Sequence, residues 1–329
     1  MKKRSIEYYD DIIMPMIRGR HADILPEMSM RISGSVGQGN DDEYSDLDSE
    51  IYLPDEIWKR NGLLQIELDR LLAKTNPWKR EGSLNGSIIA VHPLSWLLDN
   101  QAEKILANGE NVPWGKLVIE TLFSVHEDYV YHDPQDRFGR LRRLTAPEKM
   151  PENLWKKAIY RKLQDFLSDG IREIEVSVWR KQYEAADIQF GVALQALYEL
   201  GFLICHRYYP YPKHLRWAFG KLPASVSNLN THFRAMSVSA DWQEKLESME
   251  FIFNSYKDYM LAGNIAPELD LSLINPHDMY IHNYMTQAVF YKAWDNPEWW
   301  NEINALKEKT VKLGYEPEEF WAVNWWGIE

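Results

Sequence analysis

Two short runs of alternating side chains, joined by a glycine-rich turn, constrain this chain more than any other feature. Met28, Met30 and Ile32 alternate up to Gly34-Ser35, and after ten further residues Asp46-Leu47-Asp48 opens a second alternating run through Glu50, Tyr52 and Leu53. Alternation with a period of two predicts half-buried strands. A glycine directly after a strand lets the backbone turn sharply, and a serine behind it offers a hydroxyl and an exposed N–H suited to a polyphosphate. In the second strand Asp46, Asp48, Glu50 and Tyr52 face one way while Leu47, Ile51 and Leu53 face the other. Two carboxylates so placed can share one hard cation, and Mg²⁺ favours a few carboxylates completed by waters and phosphate oxygens. The plainer reading is an acidic, solvated connection between strands, since Gly37, Gln38, Gly39, Asn40, Asp41 and Asp42 are ordinary loop residues.

The spacing Gly-Ser, ten residues, Asp-x-Asp resembles the nucleotidyltransferase superfamily that includes DNA polymerase beta and the aminoglycoside and lincosamide adenylyltransferases. The acidic lead-in Asp42-Glu43-Tyr44-Ser45 is similar to the approach to that site. A second stretch, Tyr208-Tyr209-Pro210-Tyr211-Pro212-Lys213-His214-Leu215, resembles a bacterial branch in which a helical domain of unassigned function follows the nucleotidyltransferase domain. The resemblance implies that Asp46 and Asp48 hold Mg²⁺ and that Gly34 and Ser35 bind the β and γ phosphates of a nucleoside triphosphate, with ATP the commonest choice. It also implies a third carboxylate on a neighbouring strand. The corresponding run, Ser87-Ile88-Ile89-Ala90-Val91-His92, carries no acid. By strand parity Glu50 is the nearest substitute as a base, and His92 at the strand end could take a proton near neutral pH.

At 329 residues the chain has room for two ordinary domains. Its formal charge of −12 disfavours extended nucleic-acid binding, which needs basic surface, and suits a cationic small molecule. A single cysteine, Cys205, in the apolar run from Gly201, fits a reducing cytoplasm and a buried thiol rather than a nucleophile. The basic start Met1-Lys2-Lys3-Arg4 is followed by polar and acidic residues instead of an apolar leader core, and no stretch approaches a membrane span. The sequence therefore predicts a soluble cytoplasmic protein, with oligomerisation left open.

The pattern predicts an α+β chain: a small mixed-sheet domain over residues 1–145, a linker through Ala146-Pro147-Glu148-Lys149-Met150-Pro151, and an all-α bundle over 152–329. Ile6 to Arg18 reads as an amphipathic helix, as does the stretch after Pro54-Asp55 with Ile57, Leu64, Leu68, Leu71 and Leu72. Gly86 to Val91 and Asp128 to Tyr131 read as strands, and Pro93 to Leu106 as a helix. In the second half Leu154, Ile159, Leu163 and Phe166 mark one apolar face, and Tyr183, Phe190, Leu194 and Leu197 another. Trp242 to Tyr259, Tyr280 to Trp294 and Trp299 to Leu313 also read as helices.

Further candidates carry an alternative each. Arg180, Tyr183, Glu184 and Asp187 are spaced to share a helix face and could meet an acceptor hydroxyl, or form a salt-bridged outer face. Lys213, in its rigid Tyr/Pro setting, could aim at a triphosphate or be a solvated turn residue. Trp294, Trp299, Trp300, Trp321, Trp325 and Trp326, interleaved with Glu298, Glu318 and Glu319, could cage a cation or simply pack. His277 and His282 are five apart, off one helical face, and predict no zinc site. The function expected is Mg²⁺-dependent transfer of a nucleoside monophosphate to a small, hydroxylated acceptor; transfer to a protein or RNA, or a non-catalytic nucleotide-binding antitoxin or partner, is the alternative.

Overall fold

The computed structural model describes residues 2–78, 87–109 and 111–267, with isolated positions beyond. The fold class is α+β. Contacts divide the chain into two units, Met1–Met150 and Pro151–Glu329.

The first unit is built on a four-stranded sheet in the order β3-β2-β1-β4, formed by β1 Ser29–Ser33, β2 Asp48–Leu53, β3 Ile88–Pro93 and β4 Tyr129–His132. β1 runs antiparallel to β2 and β4, whereas β2 and β3 are parallel. The parallel pair needs a crossover, which the helices Asp55–Arg60 and Gly62–Thr75 supply. Leu64, Leu68 and Leu72 recur at one helical turn and bury against the sheet. On that face Met30, Ile32, Ile51, Leu53, Ile89 and Val91 join Tyr9, Ile13 and Ile17 of the N-terminal helical stretch. Each such aliphatic side chain stabilises the fold by about 1.5–3 kcal/mol when fully buried. The polar hydroxyl of Ser49, sealed in this layer, is satisfied by Tyr9 Oη at 2.6 Å.

Several expectations need adjustment. β1 is not half-buried: Ser29, Met30, Arg31 and Ile32 are all buried, because it lies between two strands and Phe138, of the helix Arg137–Leu144, covers the face opposite the apolar core. The N-terminal helical stretch runs Lys2–Tyr8, Tyr9–Ile13 and Met14–Arg20, with a π turn in the middle. Pro93 to Leu106 is broken, because Leu98, Asp99 and Asn100 all take positive φ. Asp99 Oδ2 in that turn accepts bonds from Val118 N and Thr121 Oγ1, both at 2.8 Å.

In the second unit every regular element among the described residues is a helix. Glu152–Phe166 runs through a π turn into Arg172–Trp179, followed by Tyr183–Ile204 and, further on, Trp242–Gly263. Tyr183–Ile204 buries Ala186 and Ala193 in its first part and every residue from Ala196 to Ile204 in its last, while Tyr183 is exposed. Arg180 does not share a helix with Glu184 and Asp187: it ends the preceding one, and Lys181 turns the chain with φ of 61°. Gly86, the segments Tyr280 to Trp294 and Trp299 to Leu313 as helices, His282, the six tail tryptophans, Glu318 and Glu319 lie outside the described residues. No described helix is long and apolar enough to cross a membrane.

Candidate functional site

The turn after β1 and the start of β2 meet at one end of the sheet. Ser33 pairs with Asp48 in the β1–β2 register, so the residue after Ser33 must pass over the Asp48 carboxylate. That residue is Gly34, with φ of +62°. That left-handed backbone conformation favours glycine, and a Cβ there would stand 2.9 Å from Asp48 Oδ2, so the carboxylate would have to shift to admit one. Gly34–Gln38 forms a single helical turn whose N-cap, Ser33, makes no side-chain cap bond. Ser35 Oγ donates to Ser45 Oγ at 3.0 Å, and Ser45 Oγ donates to Asp42 Oδ1 at 3.1 Å, which ties the turn to the acidic lead-in.

Asp46 precedes β2 and Asp48 begins it. Between them Leu47 is fully buried, its N–H donating to Ser87 Oγ at 3.1 Å and its carbonyl accepting from Ile88 N–H at 2.8 Å. This extended backbone puts the two flanking aspartates on the same side, and both are partly exposed. A pair of hard oxygen donors over a glycine turn fits Mg²⁺, which needs only one or two carboxylates when phosphate oxygens complete its shell. Among the described residues no group of three or more His, Cys, Asp or Glu is placed to hold a metal ion.

Register explains the missing third acid. The parallel partner of Asp48 is Ile88, which is 50% exposed, and the partner of Glu50 is Ala90. An aliphatic side chain thus stands beside the metal-binding candidate where the resemblance implies a carboxylate.

Glu50 is already engaged. Arg31, its register partner on β1, donates through Nε to Glu50 Oε2 at 2.6 Å, and Tyr52 Oη donates to the same oxygen at 2.7 Å. Burial opposes its ionisation, but Arg31 and Tyr52 outweigh that and hold the carboxyl below its usual range, which makes it a weak base. His92 lies further along the same strand face, stacked on Trp96 at 5.4 Å, with its pKa lowered by burial. Lys213 belongs to the second unit, exposed in the 3-10 turn Pro212–His214. Cys205 is partly buried 3.8 Å from Tyr259 Oη, and burial raises its pKa.

Sequence reasoning missed Arg31, Asp128 and Gln38. Arg31 Nη1 stands 3.4 Å from Asp128 Oδ2, and Gln38 Nε2 donates to Asp128 Oδ1 at 3.0 Å. The available signal was a lone arginine in phase with the polar side of β1, opposite an acid in phase on β2.

Comparison with known proteins bears on a different part of the chain. A domain of unknown function, DUF4037, matches residues 114–217. The match covers less than half of the chain, runs across the division at Met150 and includes Asp128 and the Tyr208 to Leu215 stretch, but not Gly34 to Asp48. No curated protein matches the chain.

Proposed function

We propose that this protein is a Mg²⁺-dependent nucleotidyltransferase that moves a nucleoside monophosphate, with ATP as the leading donor, onto a hydroxyl of a small acceptor. The observation that carries this reading is the approach of the Asp48 carboxylate to Gly34, which joins a phosphate-binding type of turn to a cation-binding type of strand. The N–H groups of Gly34 and Ser35 bind the terminal phosphates, and Asp46 and Asp48 hold the cation. Bound Mg²⁺ supplies neutralisation of charge on the attacking and leaving oxygens. The surrounding residues do the positioning: Ser45 and Asp42 fix Ser35, and Leu47 anchors the aspartates to the sheet. The acidic chain and the architecture favour a hydroxylated, cationic acceptor of the aminoglycoside kind, in a cytoplasmic setting.

A second reading rests on Ile88. With no acid on β3 beside Asp48, the same site can bind nucleotide without transferring it, as a binding partner or antitoxin would. Incubation with ATP or GTP, Mg²⁺, pooled aminoglycosides and lincosamides, and cell-extract metabolites separates the two. Transfer predicts pyrophosphate release and an acceptor heavier by one nucleoside monophosphate. Mg²⁺-dependent ATP binding without release favours the second reading, and no binding sinks both.

A further inference from the structure

Asp128 is a buried acid that nucleotide transfer leaves without a task. Its side chain is 1% exposed, and that of Arg31 is 9% exposed. Three atoms of this layer have no hydrogen-bond partner: Arg31 Nη1, Asp128 Oδ2 and Gln38 Oε1. Arg31 Nη1 and Asp128 Oδ2 attract across 3.4 Å without the alignment of a bond, while Arg31 Nε is committed to Glu50. Such unmet groups are unusual in a protein interior and mark a place where the arrangement can change.

The elements tied together here are those that carry the candidate site. Arg31 is on β1, three residues before Gly34, and Glu50 is on β2, two after Asp48. Gln38 ends the turn that Gly34 begins. Gly37 in that turn packs closely on β1, since a Cβ there would meet Ile32 O at 1.9 Å. The charged groups facing Asp128 are Arg31 from β1, Glu50 from β2 and Arg142 from the helix Arg137–Leu144, whose Nη2 donates to the Asp128 carbonyl at 2.6 Å.

We propose that Arg31 and Asp128 are positioning residues, in which a proton on Asp128 decides how Arg31 is shared between Glu50 and Asp128 and, through Gln38, where the Gly34–Ser35 turn sits over Asp48. When Asp128 is neutral, Glu50 has no rival for the guanidinium. When Asp128 gives its proton to water, two anions share one cation, Arg31 Nη1 is drawn across the gap, and the Gln38 bond becomes charge-assisted and shortens. Burial pushes the Asp128 carboxyl up to about 7, against the pull of Arg31 and Gln38, so the exchange falls near neutral pH. What the turn holds rests on the nucleotidyltransferase reading; the coupling between Asp128 and the turn does not.

The test follows the amide resonances of Gly34 and Ser35 in the full chain, labelled selectively with ¹⁵N-glycine and ¹⁵N-serine, from about pH 5.5 to about pH 8.5, a window clear of ordinary carboxylates. Both should titrate together near neutrality in the native protein and become flat in Asp128→Asn. Gln38→Leu removes a bond that lowers the Asp128 pKa, so it should move the midpoint upward and reduce the amplitude. Native amides that stay flat, or that titrate unchanged in Asp128→Asn, overturn the proposal. If Asp128→Asn does not fold, Gln38→Leu decides: an unchanged midpoint and amplitude would falsify the coupling. No nucleotide is needed, so failure of ATP binding refutes the transfer reading alone, and flat amides refute the coupling alone.

Discussion

The two faces of the sheet hold together by different physics. One face is aliphatic, with Met30, Ile32, Ile51, Leu53, Ile89 and Val91 packed under helices. The other carries Arg31, Glu50, Tyr52 and Asp48 on β1 and β2, with Asp128 at the foot of β4, and the helix bearing Phe138 packs over Arg31 and Tyr52. The aliphatic face is tolerant, since side chains of similar volume can replace one another there. The polar face is exacting, because one guanidinium answers both the half-buried Glu50 and the buried Asp128, and removing it takes the shared counter-charge from both. The candidate site opens at the end of the exacting face. Stability is therefore shared by both faces, whereas the geometry that would serve chemistry depends on the polar one.

That contrast can be broken by substitution. Arg31→Met should lower unfolding stability by about 3–5 kcal/mol, read by denaturant titration, because it removes the guanidinium that Glu50 and Asp128 share. A loss below about 1 kcal/mol would show that the two acids simply take up protons. Ile51→Ala, on the other face, should cost about 2–5 kcal/mol through lost burial and a cavity, and Ile51→Val much less. A dependence on volume at Ile51 together with a dependence on charge at Arg31 is the signature of the two faces.

The pH profile sharpens the same point. Asp128 is raised when folded, so between about pH 4 and about pH 7 the native chain keeps a proton that the unfolded chain has released, and stability falls as pH rises through that window. Glu50 is lowered when folded, so its contribution is present above its unfolded pKa and is lost as pH falls through the folded value. Asp128→Asn should remove the decline toward neutral pH and leave the acid limb in place, measured by thermal unfolding across buffers. A smaller effect than Ile51→Ala is Tyr9→Phe, which leaves Ser49 Oγ without its 2.6 Å partner inside the aliphatic layer and should cost about 1–3 kcal/mol.

The aliphatic face was legible in the sequence because period-two alternation reports burial directly: Leu47, Ile51 and Leu53 read as inward and are fully buried. The turn at Gly34 and the pair Asp46 and Asp48 were legible because their spacing is local. Arg31 with Glu50 was not, since the partnership depends on an antiparallel register that a 14-residue connection from Gly34 to Leu47 does not announce. Asp128 was harder still: it lies 97 positions from Arg31, and only the strand order places β4 beside β1. The helix break at Leu98 to Asn100 escaped because three successive non-glycine residues in the left-handed region run against propensity.

Nucleotidyl transfer at Gly34 and Asp48 is tested most directly by the rate of pyrophosphate release from ATP and Mg²⁺ with the acceptor pool, native protein against Asp48→Asn, at matched folded fraction. The native chain should release pyrophosphate and the variant should lose at least about 100-fold, because this carboxylate would act on transition-state charge. A native rate that Asp48→Asn leaves within about threefold would contradict it.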